Sequence, residues 1–204
     1  MSHRETKITK HDFLNYGYIK TKLPNNLYKS LLKECLNAKK NKKMVSGLTA
    51  KGVPKHYYIQ NNYENLVIFI AKIQKIYEET FPGVSDVRIL TQNVPYAYQR
   101  PWINLHKENE FIPFHQHGGI LSYSIWMKIP YDSTKEKYSG NFYFSYIDIL
   151  GNIKSENISL SEKDEGTLVM FPSKLNHIVW PFYKNKKIRM SISGNIMLSG
   201  GDVK

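Results

Sequence analysis

The spacing of apolar positions changes near residue 86. Upstream they recur every three or four residues. In PNNLYKSLLKECLNAKKNKK, Leu27, Leu31 and Cys35 fall on one helical face, and Asn25 or Asn26 stands where a cap would accept the first free N–H groups. In NYENLVIFIAKIQKIYEETFPG, the stripe Leu66, Phe69, Ile70, Ile73, Ile76 and Tyr77 predicts a second helix, stopped by Pro82-Gly83. Between them, MVSGLTAKGVPKHYYIQ is punctuated by Gly and Pro and reads as a loop. Downstream, the runs DVRIL, PWINLH, LSYSIWMKI, NFYFSYI, GTLVMF, HIVWPF and IRMSISGNIML are rich in β-formers and separated by turn residues. Helices followed by evenly spaced strands predict a mainly β chain. The expected fold is a double-stranded β-helix, or jelly roll, with N-terminal helices packed on it. The 204 residues suffice for one sizeable core. A single domain 1–204 is expected, with a helical part over about 1–85 and the jelly roll over about 86–200.

Composition narrows the setting. Cys35 is the single cysteine, so no disulfide forms within the chain, and a reducing compartment is expected. The N-terminal MSHRETKITKHDF lacks the apolar segment of a secretory signal. The run LVIFIA is far too short to span a bilayer. Both features predict a cytoplasmic protein without membrane contact. The net charge of +12 comes from scattered lysines, with one dense patch at Lys39–Lys43. It implies solubility and weak affinity for polyanions.

Candidate chemistry starts in FHQHGGILS. His115 and His117 are two residues apart, so on a strand they share a face and can reach one point. Alone, such a pair is more often a packing or surface feature than a metal site. A third histidine, His177, follows a strand and a proline turn in GTLVMFPSKLNHIVWP. Distant strands of a jelly roll face each other across its mouth, so His177 can complete a ligand set. Twelve residues later, Arg189 and Ser191 share a face of RMSIS. A guanidinium inside a β-barrel needs an anion, and its fork suits a carboxylate. That anion is either an internal Asp or Glu or a bound dicarboxylate.

Taken in order, WINLHKENEFIPFHQHGGILS, GTLVMFPSKLNH with His177, and Arg189-x-Ser191 resemble the iron(II)- and 2-oxoglutarate-dependent oxygenases. The likeness is strongest to a phage and marine-bacterial branch, and a phage-encoded chain would act in the host cytoplasm. It covers about residues 87–198, the whole β part. It implies an iron(II) dioxygenase. Such an enzyme takes 2-oxoglutarate as co-substrate and O2 as oxidant, and hydroxylates a C–H bond with release of succinate and carbon dioxide. Iron would be held on one face by two histidines and a third ligand, and Arg189 and Ser191 would hold the far carboxylate of 2-oxoglutarate.

The usual pattern is His-x-Asp or His-x-Glu, and here His117 takes the place of the acid. Three readings follow. His115, His117 and His177 form a three-histidine centre, the favoured one; or Glu110, Asp132 or Asp148 supplies a carboxylate; or the site binds without turnover. The glycines Gly118 and Gly119 leave room beside the metal. A neutral third ligand leaves more positive charge at iron and strengthens the hold on a dianion.

Lys128 and Asn104 are secondary candidates for co-substrate contact, Lys128 being equally a surface lysine. Trp126 and Trp180 are expected in the core or pocket wall, and His3, His11, His56 and His106 on the surface. The connecting segment, with Gly47, Lys51, Gly52, Lys55, Tyr57 and Tyr58, is a candidate lid over the mouth, and basic-plus-aromatic character also suits single-stranded nucleic acid. Two other classes compete: a cupin-like three-histidine metal protein without 2-oxoglutarate, and a non-enzymatic basic binding protein. The first lacks the expected Glu after H-x-H and leaves Arg189 unexplained. The substrate class stays open among protein side chains, nucleic acids and small molecules.

Overall fold

The computed structural model describes residues 16–40, 55–83, 94–136, 138–184 and 186–199. The expected strand at 86–90, His3 and His11, and the Gly47–Pro54 part of the candidate lid lie outside the described residues.

Two antiparallel sheets face each other. In chain order the elements are β1 (Ile19–Lys22), α1 (Asn25–Asn37), β2 (Lys55–Tyr58), α2 (Tyr63–Thr80), β3 (Tyr96–Tyr98), β4 (Trp102–His106), β5 (Ile112–His115), β6 (Leu121–Lys128), β7 (Phe142–Ile147), β8 (Ile153–Ile158), β9 (Thr167–Pro172), β10 (Asn176–Val179) and β11 (Arg189–Leu198). The major sheet runs β1-β9-β6-β11-β4-β2, with β3 also paired to β11; the minor sheet runs β5-β10-β7-β8. This is a jelly roll. Two of its strands come from the part expected to be helical and loop. β1 pairs with β9 and β2 pairs with β4, each at an edge of the major sheet. Tyr57 and Tyr58 therefore belong to a sheet rather than to a free loop.

Alternation along the strands sorts side chains between two layers. Outward from the major sheet, Ile103, Leu105, Leu121, Ile125, Met127, Leu168, Met170, Ile192 and Ile196 pack with the helical stripes Leu31, Cys35 and Leu66, Ile70, Ile73, Tyr77. Phe69 packs at the margin of this layer, whereas Ile76, expected in the stripe, faces solvent. Between the sheets lies a second apolar layer of Trp126, Phe142, Phe144, Val169, Phe171 and Val179. Helix α1 begins directly after Pro24, so neither asparagine is its N-cap, although the Asn26 Oδ1 accepts from the Leu27 N–H at 2.9 Å.

Glu34 joins the helices to the sheet. Its carboxylate accepts from the backbone N–H groups of Gln60, Asn61 and Asn62 and from the Asn62 side-chain amide. Those donors follow β2 and precede α2, whose N-cap Asn62 makes no side-chain capping bond to the helix. Leaving several of them unpaired costs about 1–3 kcal/mol. Glu34→Ala should lower the denaturant midpoint accordingly without changing the slope; an unchanged midpoint would remove this tie from the account.

Candidate metal centre

His115 ends β5 and lies directly across from His177 on β10, as a Cα partner in the antiparallel ladder. His117 is not on the strand. It stands in the β5–β6 connection, held by its N–H donating to the Ser173 carbonyl at 2.9 Å. This corrects the expectation of strand parity, yet the convergence that parity predicts occurs. One ligand atom from each of His115, His117 and His177 lies within 4.8 Å of the others. Gly119 fits this turn for a packing reason. A Cβ there would sit 2.7 Å from the Ile196 carbonyl oxygen and 2.9 Å from the Ser173 Oγ. Gly118 has open space around it.

The imidazoles are prepared as ligands. His115 Nδ1 lies 2.8 Å from the Pro113 carbonyl and His177 Nδ1 lies 2.9 Å from the Leu175 carbonyl. A carbonyl only accepts, so each Nδ1 carries the proton and each Nε2 keeps its lone pair. Burial lowers all three proton affinities. His115 is lowered by desolvation. His117 falls to about 4 through desolvation and then the neighbouring His115. His177 falls to about 3 through desolvation, His115 and His117, against the opposing pull of the Leu175 carbonyl. All three are neutral at pH 7, as metal binding requires.

The same shifts give metal-free protein a pH dependence. An unfolded histidine takes up a proton near 6.5, whereas folded His117 and His177 hold out to about 4 and about 3. Within that window the unfolded state binds more protons, so stability falls as pH is lowered from about 6.5 and is fully present above it. Thermal melts in chelator should show this decline, and a flat melting temperature from neutral pH to about 5 would contradict it.

The three histidines line a cavity of about 500 Å³. Its remaining wall is mostly apolar, with Ile112, Phe142, Phe171, Val179 and Trp102, and it carries His56, Tyr58, Asn104, Ser193 and Asn195 as polar groups. Among the described residues, none that lines it is acidic. The carboxylates considered as alternatives are spent at the surface. Glu110 caps the Lys107 N–H, Asp132 binds Thr134, and Asp148 closes the β7–β8 turn.

Arg189 and Ser191 lie on β11 with side chains turned between the sheets, opposite His106 and Asn104 of β4. Arg189 is 1% exposed. Its Nη1 donates to the Tyr131 hydroxyl at 3.2 Å and the Gly140 carbonyl at 3.3 Å, while Nη2 has no partner among the described residues. Among the described residues no carboxylate pairs with it. Asn104 is also buried; its Nδ2 donates to the Ser191 and Ser193 hydroxyls, and its Oδ1 is free. Lys128 is not brought to this site. Its Nζ pairs with Glu165 at 2.8 Å in a separate surface groove.

Two histidines expected on the surface are inside. His106 is 1% exposed and neither ring nitrogen has a partner; His56 lines the cavity with Nε2 unpaired. For His106 the sequence carries one inward signal, the strand parity it shares with Asn104, set against the polarity of histidine. His56 is hidden because its strand follows a Gly- and Pro-rich segment. Trp126 is in the inner apolar layer as expected, whereas Trp180 is half-exposed, against Tyr138 and Tyr143.

Comparisons with known proteins agree with this architecture. Residues 100–195 match the family described as "Putative 2OG-Fe(II) oxygenase". No curated protein matches the chain. Among solved structures, a prolyl-4-hydroxylase from Pseudomonas putida is 14% identical, with 90% of this chain and 93% of that one covered and a TM-score of 0.59. The viral collagen prolyl hydroxylase of Paramecium Bursaria Chlorella virus-1, solved with 2OG, is 12% identical over 88% and 94%, at 0.54. The carbocyclase SnoK from nogalamycin biosynthesis is 9% identical over 90% and 80%, at 0.60. Identities this low show a common fold. Hydroxylation and ring formation on one scaffold mean that the fold does not name the reaction. Among the described residues, no helix is long and apolar enough to cross a membrane.

Proposed function

We propose, from the match of residues 100–195 to the 2OG-Fe(II) oxygenase family, a dioxygenase that hydroxylates a C–H bond of its substrate. Its metal centre is His115, His117 and His177. The observation that carries this is the donor set: three neutral imidazoles converge in a cavity without an acidic wall. Iron(II) with 2-oxoglutarate and O2 supplies oxidative decarboxylation to succinate and carbon dioxide coupled to oxygen insertion.

The chain's residues supply position and environment. The Pro113 and Leu175 carbonyls orient two of the rings through their Nδ1–H groups and leave each Nε2 lone pair free to hold a metal. His117 is held by its backbone rather than by a ring hydrogen bond. Because all three ligands are neutral, they cancel none of the metal's charge, which strengthens attraction for a dianion.

Arg189 and Ser191 are assigned to the far carboxylate of 2-oxoglutarate, with Asn104 beside them. The unpaired Nη2 of a buried guanidinium supports this, because a buried charge without an anion is costly. Phe142, Phe171 and Val179 exclude water from the reacting centre. Two of the solved relatives act on prolyl residues of proteins by their names. A protein side chain is accordingly the first substrate class to test, and nucleic acid the second, on account of the +12 charge.

The test is release of labelled carbon dioxide from 1-labelled 2-oxoglutarate. The expected result is release that requires both iron(II) and O2, rises when the true substrate is present, and disappears in His177→Ala. Folded, iron-loaded protein with no release in any substrate pool would count against dioxygenase turnover.

A further inference from the structure

The free edge of the minor sheet is built unlike the other edges. Among the described residues β7 is the only strand partner of β8, so one row of its backbone N–H and C=O groups faces outward. β8 runs six residues, whereas β1, β2, β3 and β5, the other strands paired on one side only, have four or fewer. β1 carries Lys20 and Lys22, β2 carries Lys55 and β5 carries Pro113, the kinds of residue that keep a further strand away. β8 pairs with β7 without a bulge, and Ile153 through Asn157 are all exposed. The turn that leads into it is fixed: the Asp148 Oδ1 accepts from the Leu150 and Asn152 N–H groups, both at 2.9 Å. That turn holds Ile147, Ile149, Leu150 and Ile153 at 71–82% exposure. A long, straight edge that starts in an aliphatic cluster is a surface suited to pairing with another strand.

The charges on β8 select the partner. Its one lysine, Lys154, stands two residues from Glu156, so both project from the same face. A second β8, related by a two-fold axis perpendicular to the sheet, pairs antiparallel with residues of like parity opposite each other. Centred on Lys154 or on Glu156, that pairing sets like charges against each other. Centred on Ser155, it sets each Lys154 opposite a Glu156, twice over. Opposite charges directly across stabilise a strand pair and like charges destabilise it. The edge also escapes the chain's general repulsion: residues 141–160 hold one lysine against two carboxylates, Asp148 and Glu156, on a chain of net charge +12. Lys154 already meets Asp148 at 3.5 Å, and Glu156 accepts from the Tyr18 hydroxyl at 3.2 Å. An ammonium with three protons and a carboxylate with two oxygens each keep capacity for a second partner.

We propose that a second copy of this chain docks on β8, antiparallel and centred on Ser155, joining two four-stranded minor sheets into one of eight strands. The interface is isologous, the same patch serving on both copies. It leaves both metal centres clear, because His115 and His177 stand on β5 and β10, on the far side of β7.

Sedimentation of the full chain across micromolar concentrations tests the proposal. Wild type should sediment as a dimer. Lys154→Glu and Glu156→Lys, each alone, set like charges at both contacts and should raise the dissociation constant by about 10-fold or more. Mixed one to one, the two variants bring opposite charges together in both pairs, and the heterodimer should regain the lost affinity. A general change of surface charge does not produce that rescue. Where either variant fails to fold, wild type alone decides through amide exchange: Ile153 through Asn157 should exchange more slowly as concentration rises into the dimer range. A wild type that stays monomeric would overturn the proposal, as would variants that dimerise like wild type or a mixture no tighter than either variant alone. Exchange along β8 that is independent of concentration would overturn it too.

Discussion

His177→Ala should abolish iron(II) uptake while leaving the chain folded. His177 lies against both other rings: its ring centroid is 4.1 Å from that of His115 and 5.1 Å from that of His117. Removing it leaves two imidazoles, of which His117 has no ring hydrogen bond to fix its direction. Loss of a group that only orients a ligand costs about 10- to 100-fold in metal affinity, and loss of the ligand itself costs more. The fold should survive because the ring's own polar contact is the local one to Leu175. It also stacks on Phe142 and meets Phe171 edge-on, so truncation costs some packing. Anaerobic calorimetry with iron(II), beside circular dichroism, measures both. Undiminished uptake of one iron per chain would take His177 out of the centre.

Arg189→Met should separate the two halves of the site. Iron(II) binding should be unchanged, since Arg189 contributes no ligand atom to the histidine group. Affinity for 2-oxoglutarate should fall by about 100-fold or more, the scale for truncating one partner of a buried charge contact. Methionine fills similar volume without charge. The metal-free variant should therefore be at least as stable as wild type, because an unpaired buried guanidinium has been replaced by an apolar chain. A variant that loses stability while keeping its 2-oxoglutarate affinity would mean that Arg189 serves the fold through Tyr131 and Gly140.

Much of this architecture is legible in the amino-acid sequence. The change of apolar period from helical to alternating separates the helical layer from the sheets. The order of His115, His177 and Arg189 along the chain resembles a known family, with His117 in place of its acid, and the fold brings the three histidines together. Other parts are not legible, for physical reasons. β1 and β2 are four-residue edge strands, too short for a periodic signal, and the second follows glycine and proline that mask it. The place of His56 inside the barrel is hidden with that strand. His106 reads as a surface residue for a different reason: histidine is polar, and full burial without a partner runs against its chemistry. Parity alone points Lys128 toward the site, whereas Glu165, 37 residues downstream, holds it elsewhere. The strand that parity extends to His117 ends two residues earlier; the turn carrying His117 is set by Ser173 and Gly119, which no local pattern reveals.

The proposed centre is three neutral histidines that hold iron(II) without a carboxylate, so that 2-oxoglutarate binds it. Anaerobic addition of iron(II) and then 2-oxoglutarate to the purified protein tests this most directly. The account predicts a weak visible charge-transfer band in wild type that is absent in His115→Ala, His117→Ala and His177→Ala. Well-folded wild type with no band, or a band that survives His117→Ala undiminished, would contradict it.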